Sequence, residues 1–306
     1  MSEVTPLIIL LGPTAVGKSA AAVHLARAHS GEVINADSQQ VYRGFDIGTD
    51  KPGLDIRAAV PHHLVDVADP RVQFTAADFV AGALAAVREI HSRGRLPLVV
   101  GGSGLYLKAL LDGLFPGPGR DPELRRRLED EARDRGLETL YRALLEVDPE
   151  YARQVRSRDR IRIIRALEVY RTTGRTMTDH FRETVSPVKH LAVVKVGLSL
   201  DRAALYRRIE ERVERMFARS LVAEVRGLLA AGVPETAPPF KGLGYRQVLL
   251  HLSGELSLDE ARAAAQLETR HYAKRQLTWF RKMTGVAWLP AGDLTALESH
   301  LAKALQ

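Results

Sequence analysis

The chain has 306 residues, 45% of them hydrophobic, with no cysteine and a net charge of +7. That length and composition supply enough apolar surface for one large domain, or for a core with a smaller companion. The absence of thiols excludes disulfides, cysteine-based zinc sites and thiol nucleophiles. No stretch approaches the ~20 consecutive apolar residues that cross a bilayer, so the expectation is a soluble, cytoplasmic protein with no membrane partner.

The apolar run Leu7 to Leu11 reads as a buried strand that enters GPTAVGKS, residues 12–19, ahead of a helical pattern from Ala20 to Ala28. The spacing G-x-x-x-x-G-K-[ST] falls on Gly12, Gly17, Lys18 and Ser19, and strand, loop and helix in that order are the context this motif requires. Glycines let backbone N–H groups converge on phosphate oxygens, and the helix start adds the positive end of its dipole. Lys18 adds a point charge, and the Ser19 hydroxyl is of the type that holds Mg²⁺. The spacing predicts polyphosphate binding by Gly12, Pro13, Thr14, Ala15, Val16, Gly17, Lys18 and Ser19. It does not say what carries the phosphate.

The next apolar run, in EVINADSQQVYRG, ends at Asp37, which a parallel sheet would place beside the phosphate loop. An aspartate there can hold Mg²⁺ through a water, accept a proton from a nucleophile, or cap a turn. His62 and His63 are adjacent, so their rings point to different sides of an extended segment, which suits a structural role. A helix over Ala76 to Arg93, a strand at LPLVVGG (96–102) and a helix at LYLKALLDG (105–113) follow. This alternation predicts an α/β fold: a P-loop NTPase-like parallel sheet with helices on both faces and a ligand site at the carboxyl ends of the strands. LPLVV leads into glycines instead of an acidic Mg²⁺ ligand, and no N-K-x-D motif occurs, which argues against motor ATPases and GTPases.

FPGPGRDP (115–122) is a breaker cluster. From Asp121 to about Thr173 the pattern is helical and charged, without strand signals. LAVVKVGLSL (191–200) returns to the strand style, one amphipathic helix is expected from Arg202 to Leu229, and the C-terminal third reads as helical with a break at GVPETAPPFKGLGYRQ (232–247). The expected division is a core of residues 1–114 and 191–306 with an all-helical insertion at 115–190.

Charge is concentrated in two blocks. Residues 151–175 hold eight arginines against Asp159 and Glu168, and residues 270–282 hold five Lys or Arg and no acid. Together they exceed the net charge of the whole chain, so the remainder is mildly acidic. Such blocks are the footprint of a polyanion larger than one pyrophosphate, or else two solvated helix faces. In the second block His271, Tyr272, Trp279 and Phe280 are interleaved with the charges and available to stack on bases.

The segments GPTAVGKS, INADSQQVYRGFDIGTDKP, PHHLVD, VVGGSGLYLKALLDG, RIIRALEVYRTTG and RHYAKRQLTWFRK, in this order, resemble the bacterial tRNA dimethylallyltransferases over residues 7 to 283. The resemblance implies that the loop binds the pyrophosphate of dimethylallyl diphosphate with Mg²⁺ and turns over no nucleoside triphosphate. It also implies transfer of the dimethylallyl group to the N6 amine of the adenine next to the anticodon (tRNA position 37), with release of pyrophosphate. On the same ground Asp37 is the general base, Thr14 touches the diphosphate or its bridging oxygen, and Lys18, Arg202 and Arg208 stabilise the departing pyrophosphate. Ser19 is the metal ligand. The anticodon stem-loop would be met by Asp37, Ser38, Gln39 and Gln40, by Ser103 and Arg125, by Ile161, Arg162, Ile163, Ile164 and Arg165, and by Lys241, Gly242, Leu243, Gly244, Tyr245 and Arg246. No protein partner is implied, and the expectation is a monomer. Two positions depart from the family: Ser220 stands where glycine is expected before Leu221, and Ile161 replaces a polar residue seen in some members. The residues by themselves leave open a small-molecule kinase with an arginine-rich lid, prenyl transfer to free AMP or ADP, and a non-catalytic RNA-binding protein.

Overall fold

The computed structural model describes residues 6–115, 117–119 and 121–305. Six strands, β1 (Pro6–Leu11), β2 (Gly31–Asn35), β3 (His62–His63), β4 (Leu96–Gly101), β5 (Ala192–Ser199) and β6 (Val286–Pro290), form one sheet in the order β3-β2-β4-β1-β5-β6. Every pairing is parallel. Leu7 through Leu11 are all fully buried. Because successive side chains point to opposite faces, burial of the whole run means that both faces of the sheet are covered. Such strands read as unbroken apolar runs, which is why β1 and β4 were legible; β2 and β5 carry Glu32 and Lys195 within shorter apolar stretches.

The register brings the strand ends into line. Leu11 lies opposite Gly101 and Gly197, and Asn35 opposite Val100, so the turns after β1, β2 and β4 open on one edge of the sheet. The strands approach closely there: a Cβ at Gly101 would lie 2.2 Å from the Ala36 carbonyl oxygen.

The chain divides into two compact units, one comprising the residues up to Leu110 and from Val188 onward, the other Leu111–Pro187. In the first, α1 (Lys18–Ala28), α2 (Leu54–Ala59), α3 (Ala76–Ser92) and α4 (Gly104–Asp112) connect the strands. Ala22, Leu25 and Ala26 of α1 cluster with Ile8, Leu10 and Leu98 of the sheet. The second unit is all helix: α5 (Pro122–Asp134), α6 (Leu137–Val147), α7 (Pro149–Gln154), α8 (Arg160–Thr173) and α9 (Met177–Arg182). Asp121, Asp148, Asp159 and Thr176 accept first-turn N–H groups at the starts of α5, α7, α8 and α9. Leu128, Leu140, Leu144, Ile163 and Leu167 form its core.

After β5 the first unit resumes with α10 (Arg202–Ala218), α11 (Leu221–Ala230), a 3₁₀ turn at Pro238–Lys241, α12 (Tyr245–Leu252), α13 (Leu258–Phe280) and α14 (Leu294–Ala304). Among the described residues no helix is long and apolar enough to cross a membrane. Two expectations fail here. The single helix over 202–229 is two, because Ser220 adopts a left-handed conformation (φ 68°, ψ 44°). The C-terminal third also contains β6, whose Trp288 ring lies so close to Gly197 that a Cβ there would be 2.7 Å from it.

The break at Ser220 explains why glycine is expected there. A left-handed L-residue costs roughly 1–2 kcal/mol, whereas glycine adopts the conformation freely and loses only part of that gain through its more flexible unfolded chain. Ser220→Gly should therefore raise stability by about 0.5–1 kcal/mol, seen as a higher urea midpoint at unchanged slope. A lower midpoint would show that the serine side chain contributes more than its backbone costs.

Candidate active site

The phosphate loop leaves β1 through Gly12, at φ 152°, where a Cβ would lie 2.9 Å from the Leu198 carbonyl oxygen. Ala15 (φ 62°) and Gly17 (φ 108°) then turn the backbone into α1. Gly17 brings no side-chain cap to the helix start, so the first-turn N–H groups, from Lys18 onward, have neither intrahelical acceptors nor a cap. Lys18 Nζ donates to the carbonyl oxygens of Gly12 (3.0 Å) and Pro13 (2.8 Å). Its pKa is lowered to about 8, chiefly by burial, with Asp37 pulling it up and Arg212 pushing it down. Ser19 is exposed in the first turn of α1.

Opposite the loop stands the turn after β2. Asp37 Oδ1 accepts from the N–H of Gln39 (2.8 Å) and Gln40 (3.4 Å), so one carboxylate oxygen caps the turn. The other has no hydrogen-bond partner among the described residues. The Ser103 hydroxyl, after β4, accepts from Ser38 N–H at 2.9 Å and fixes the two turns to each other.

Two helices close the site from the C-terminal half. On α10, Arg208 Nη1 donates to Val16 O (3.1 Å), and Arg212 donates to Thr14 Oγ1 (2.7 Å) and to Thr49 O (3.1 Å). On α13, the buried Gln276 accepts the Thr14 N–H (2.8 Å) through Oε1 and donates to Gly102 O (2.8 Å) through Nε2. The sequence reading missed Arg212 and Gln276. Helical geometry held a signal for Arg212, which lies one turn beyond Arg208 on the same face, whereas Arg202 lies about 120° around the axis. Arg202 does not join the loop. Its Nε donates to Tyr206 Oη at 3.2 Å, its guanidinium lies over that ring, and it lines a different cavity with Leu205 and Leu277. Nothing marked Gln276 within its basic block.

Two cavities meet here. One, of about 390 Å³, is lined by Lys18, Ser19 and Arg208. The other, of about 250 Å³, is lined by Gln39, Lys241, Leu243 and Arg275 over an apolar floor of Val213 and Met216. Thr14, Asp37, Arg212 and Tyr272 belong to both. Burial, with help from Asp37, pushes the Tyr272 phenol up to about 12, so it stays a neutral hydroxyl.

The remaining predicted contacts divide. Lys241, Gly242, Leu243 and Gly244 line the second cavity, and Arg246 is exposed. Tyr245 lines that cavity too, its ring buried against Phe45 and Phe240 and its hydroxyl donating to Glu224 (2.6 Å). In the helical unit Ile161 is 72% exposed, but Ile163 and Ile164 are interior, which corrects the expectation that their side chains meet RNA. Arg165 is equally structural, donating to the buried Glu168 (2.9 Å) and to Pro118 O (2.8 Å). Arg162 pairs with Asp159 and Arg125 with Glu129. Arg153, Arg156 and Arg158 are exposed and unpaired among the described residues. In the second block Phe280 is core and Trp279 packs on Gly104, which leaves Tyr272 and the exposed His271 for stacking.

The family model described as IPP transferase matches residues 40–283, and one described as isopentenyl transferase matches residues 5–56. A tRNA dimethylallyltransferase from Geobacter metallireducens is 50% identical over 290 residues, 94% of this chain and 93% of its own length. The chain belongs to the tRNA dimethylallyltransferase family. A second relative so named, from Thermomicrobium roseum, is 49% identical over 94% of this chain and 87% of its own. The solved tRNA isopentenylpyrophosphate transferase of Bacillus halodurans superposes with a TM-score of 0.73 at 37% identity, covering 98% of this chain and 96% of that one. A eukaryotic dimethylallyltransferase acting on tRNA gives 0.81 at 29% identity, over 98% and 77%.

Lys18 supplies the pH dependence that tests the loop. With a pKa of about 8, its charge is present below that value and lost above it. Affinity for an allylic diphosphate should hold from pH 6.5 to 7.5 and then fall, approaching about tenfold per pH unit. Lys18→Arg, whose guanidinium keeps its charge, should flatten the fall. A wild-type profile already flat to pH 9.5 would remove the Lys18 charge from binding.

Proposed function

We propose that the chain transfers the dimethylallyl group of dimethylallyl diphosphate to the N6 amine of the adenine next to the anticodon of tRNA, releasing pyrophosphate. The observation that carries this reading is the junction of two cavities at Thr14, Asp37, Arg212 and Tyr272. One leads from a phosphate loop and the other from a wall bearing Lys241 and Arg275. A donor held on one side and a base inserted from the other would bring their reacting atoms together at that junction. The names of the relatives support the same substrates.

In the reaction, a bond forms between N6 and the first carbon of the prenyl group as that carbon's bond to the diphosphate oxygen breaks. The electron pair leaves with pyrophosphate, and one N6 proton passes to the Asp37 carboxylate. An adenine amine is a weak nucleophile and an allylic diphosphate ionises readily. Stabilising the leaving group and excluding water therefore matter most. The loop N–H groups, Lys18, Arg208 and Arg212 perform the first task, and Arg212 also orients the Thr14 hydroxyl. The target base must leave its stack, which costs a few kcal/mol that contacts with the second cavity offset.

Among the described residues no cluster of three or more acidic or histidine ligands could hold a metal. The Ser19 hydroxyl, with oxygens supplied by the diphosphate, is a hard donor set that suits Mg²⁺. Bound there, Mg²⁺ would add positive charge at the leaving group. A kinase reading is weaker, because the position after β4 where an acidic metal ligand would be wanted is Gly102, packed against Gln276: a Cβ there would lie 2.3 Å from Nε2.

Incubation of radiolabelled dimethylallyl diphosphate with bulk tRNA, with AMP or with ATP should put label into RNA alone. Label in free nucleotide, or steady phosphate release from ATP, would displace the proposal. Asp37→Asn keeps a turn-capping side chain but no base. It should lower the single-turnover rate by roughly 10²–10⁴ and leave both substrate affinities within a few-fold. A near wild-type rate would reduce Asp37 to a cap.

The helical unit is tested by salt. Arg158→Ala should weaken tRNA binding and reduce the log–log salt slope by roughly 0.7–0.9. Arg165→Ala should leave the slope unchanged and lower the melting temperature, because it strands the buried Glu168 carboxylate. The reverse pattern would mean that the two arginines have been assigned the wrong way round.

A further inference from the structure

We infer that the Tyr272 ring stabilises the prenyl group in transit: the allylic carbon gains positive charge as its bond to the diphosphate breaks, and the π face of Tyr272 attracts that charge. This rests on the prenyl-transfer reading of the two cavities.

Thr14, Asp37, Arg212 and Tyr272 line both cavities. The reaction gives the first three a role each, the hydroxyl and the guanidinium at the leaving group and the carboxylate as base. Tyr272 is the aromatic member of the set and has none. It stands on α13 one turn before Gln276, with its hydroxyl beside the Ser103 and Gln276 side chains. Those side chains are tied to Ser38 N–H and Gly102 O, so the far end of the ring rests against fixed groups. Arg275 lies over the ring at 5.8 Å and lines the second cavity but not the first. A new charge therefore meets the ring from the donor side.

The donor's chemistry supplies that charge. As the carbon–oxygen bond breaks, its electron pair goes to pyrophosphate and positive charge spreads over the two ends of the allyl group, until the N6 lone pair closes the new bond. Lys18, Arg208 and Arg212 serve the leaving group and repel a cation. A carboxylate placed against the allyl carbon would attract the cation but also capture it as an ester. An aromatic face attracts through its quadrupole and forms no bond. The Tyr272 phenol stays neutral, so it is not a phenolate that would capture the cation as an ether. The ring also takes up room that water would need to do the same.

The test measures single-turnover prenylation of an anticodon stem-loop at saturating dimethylallyl diphosphate. It compares wild type, Tyr272→Phe, Tyr272→Leu and a series of Tyr272→Phe proteins whose ring carries one, two or three fluorines. Fluorine withdraws electron density and weakens the π face at nearly constant shape. Tyr272→Phe keeps the ring and should stay within about threefold of wild type. Tyr272→Leu should be slower by roughly 10–30-fold, with donor and RNA affinities within a few-fold and more prenyl alcohol released per prenylated RNA. Along the fluorinated series the logarithm of the rate should fall steadily while both affinities hold. A flat series would overturn the inference and leave Tyr272 as wall, whatever Tyr272→Leu does through packing. Rates that fall only in step with affinity would do the same. If wild type itself prenylates no adenosine RNA, the transfer reading fails and takes this inference with it. Wild-type turnover with a flat series sinks the Tyr272 role alone.

Discussion

The site depends on how Thr14 is held. Its N–H is taken by Gln276 and its hydroxyl by Arg212, partners 262 and 198 residues away in the chain. The loop sequence can form a phosphate cradle locally, but its second residue past Gly12 takes its working position only when α10 and α13 have docked. Gln276 is itself fixed by Gly102 O after β4, and Arg212 by Thr49 O. Thr49 and its neighbours are held in turn. Glu224 accepts the Ile47 N–H at 2.8 Å and the Tyr245 hydroxyl at 2.6 Å. Long-range contacts of this kind form late and cost loop entropy before they contribute. Local order at the phosphate loop therefore reports folding of the whole first unit.

That arrangement also sets the electrostatics. Lys18, Arg208 and Arg212 converge on a small region, with Asp37 the nearby acid that counts against Lys18's burial. A buried ammonium beside a guanidinium is unfavourable until an anion arrives, even with Asp50 3.5 Å from Arg212, and the diphosphate of the proposed reaction would be such an anion. On the proposed function, affinity for the leaving group would draw on that cost, in a site whose groups are positioned before the charge develops.

Legibility in the sequence followed burial. Strands β1 and β4 are apolar runs because both sheet faces are covered, β2 and β5 keep shorter apolar stretches around Glu32 and Lys195, and the phosphate loop is a local motif, so all of these were readable. Strand β6 was not, since Val286–Pro290 is short and half-buried and is defined by pairing with β5 instead of by its own pattern. The break at Ser220 was hidden because serine gives no left-handed signal. Family resemblance brought Arg202 to the site where helix geometry brings Arg212. In the helical unit, a run of charges suggested a contact surface, yet Ile163 and Ile164 face its core and Arg165 serves Glu168. Composition counts charges, and only packing shows which of them are already paired.

The loop motif alone never decided between hydrolysing a nucleotide and transferring an alkyl group, since one fold hosts many chemistries. What decides is the surroundings of the loop. Where a nucleotide hydrolase would want an acidic metal ligand after the neighbouring strand, this chain has Gly102 under the Gln276 amide, a neutral group that positions backbone and holds no metal. Where a kinase would need room for a base and ribose beside its phosphates, Asp37, Tyr272 and the wall around Gly242 instead open a second cavity from the other side. Two openings onto one set of four residues make a poor hydrolytic pocket. They suit two large reactants that meet only at their reacting atoms.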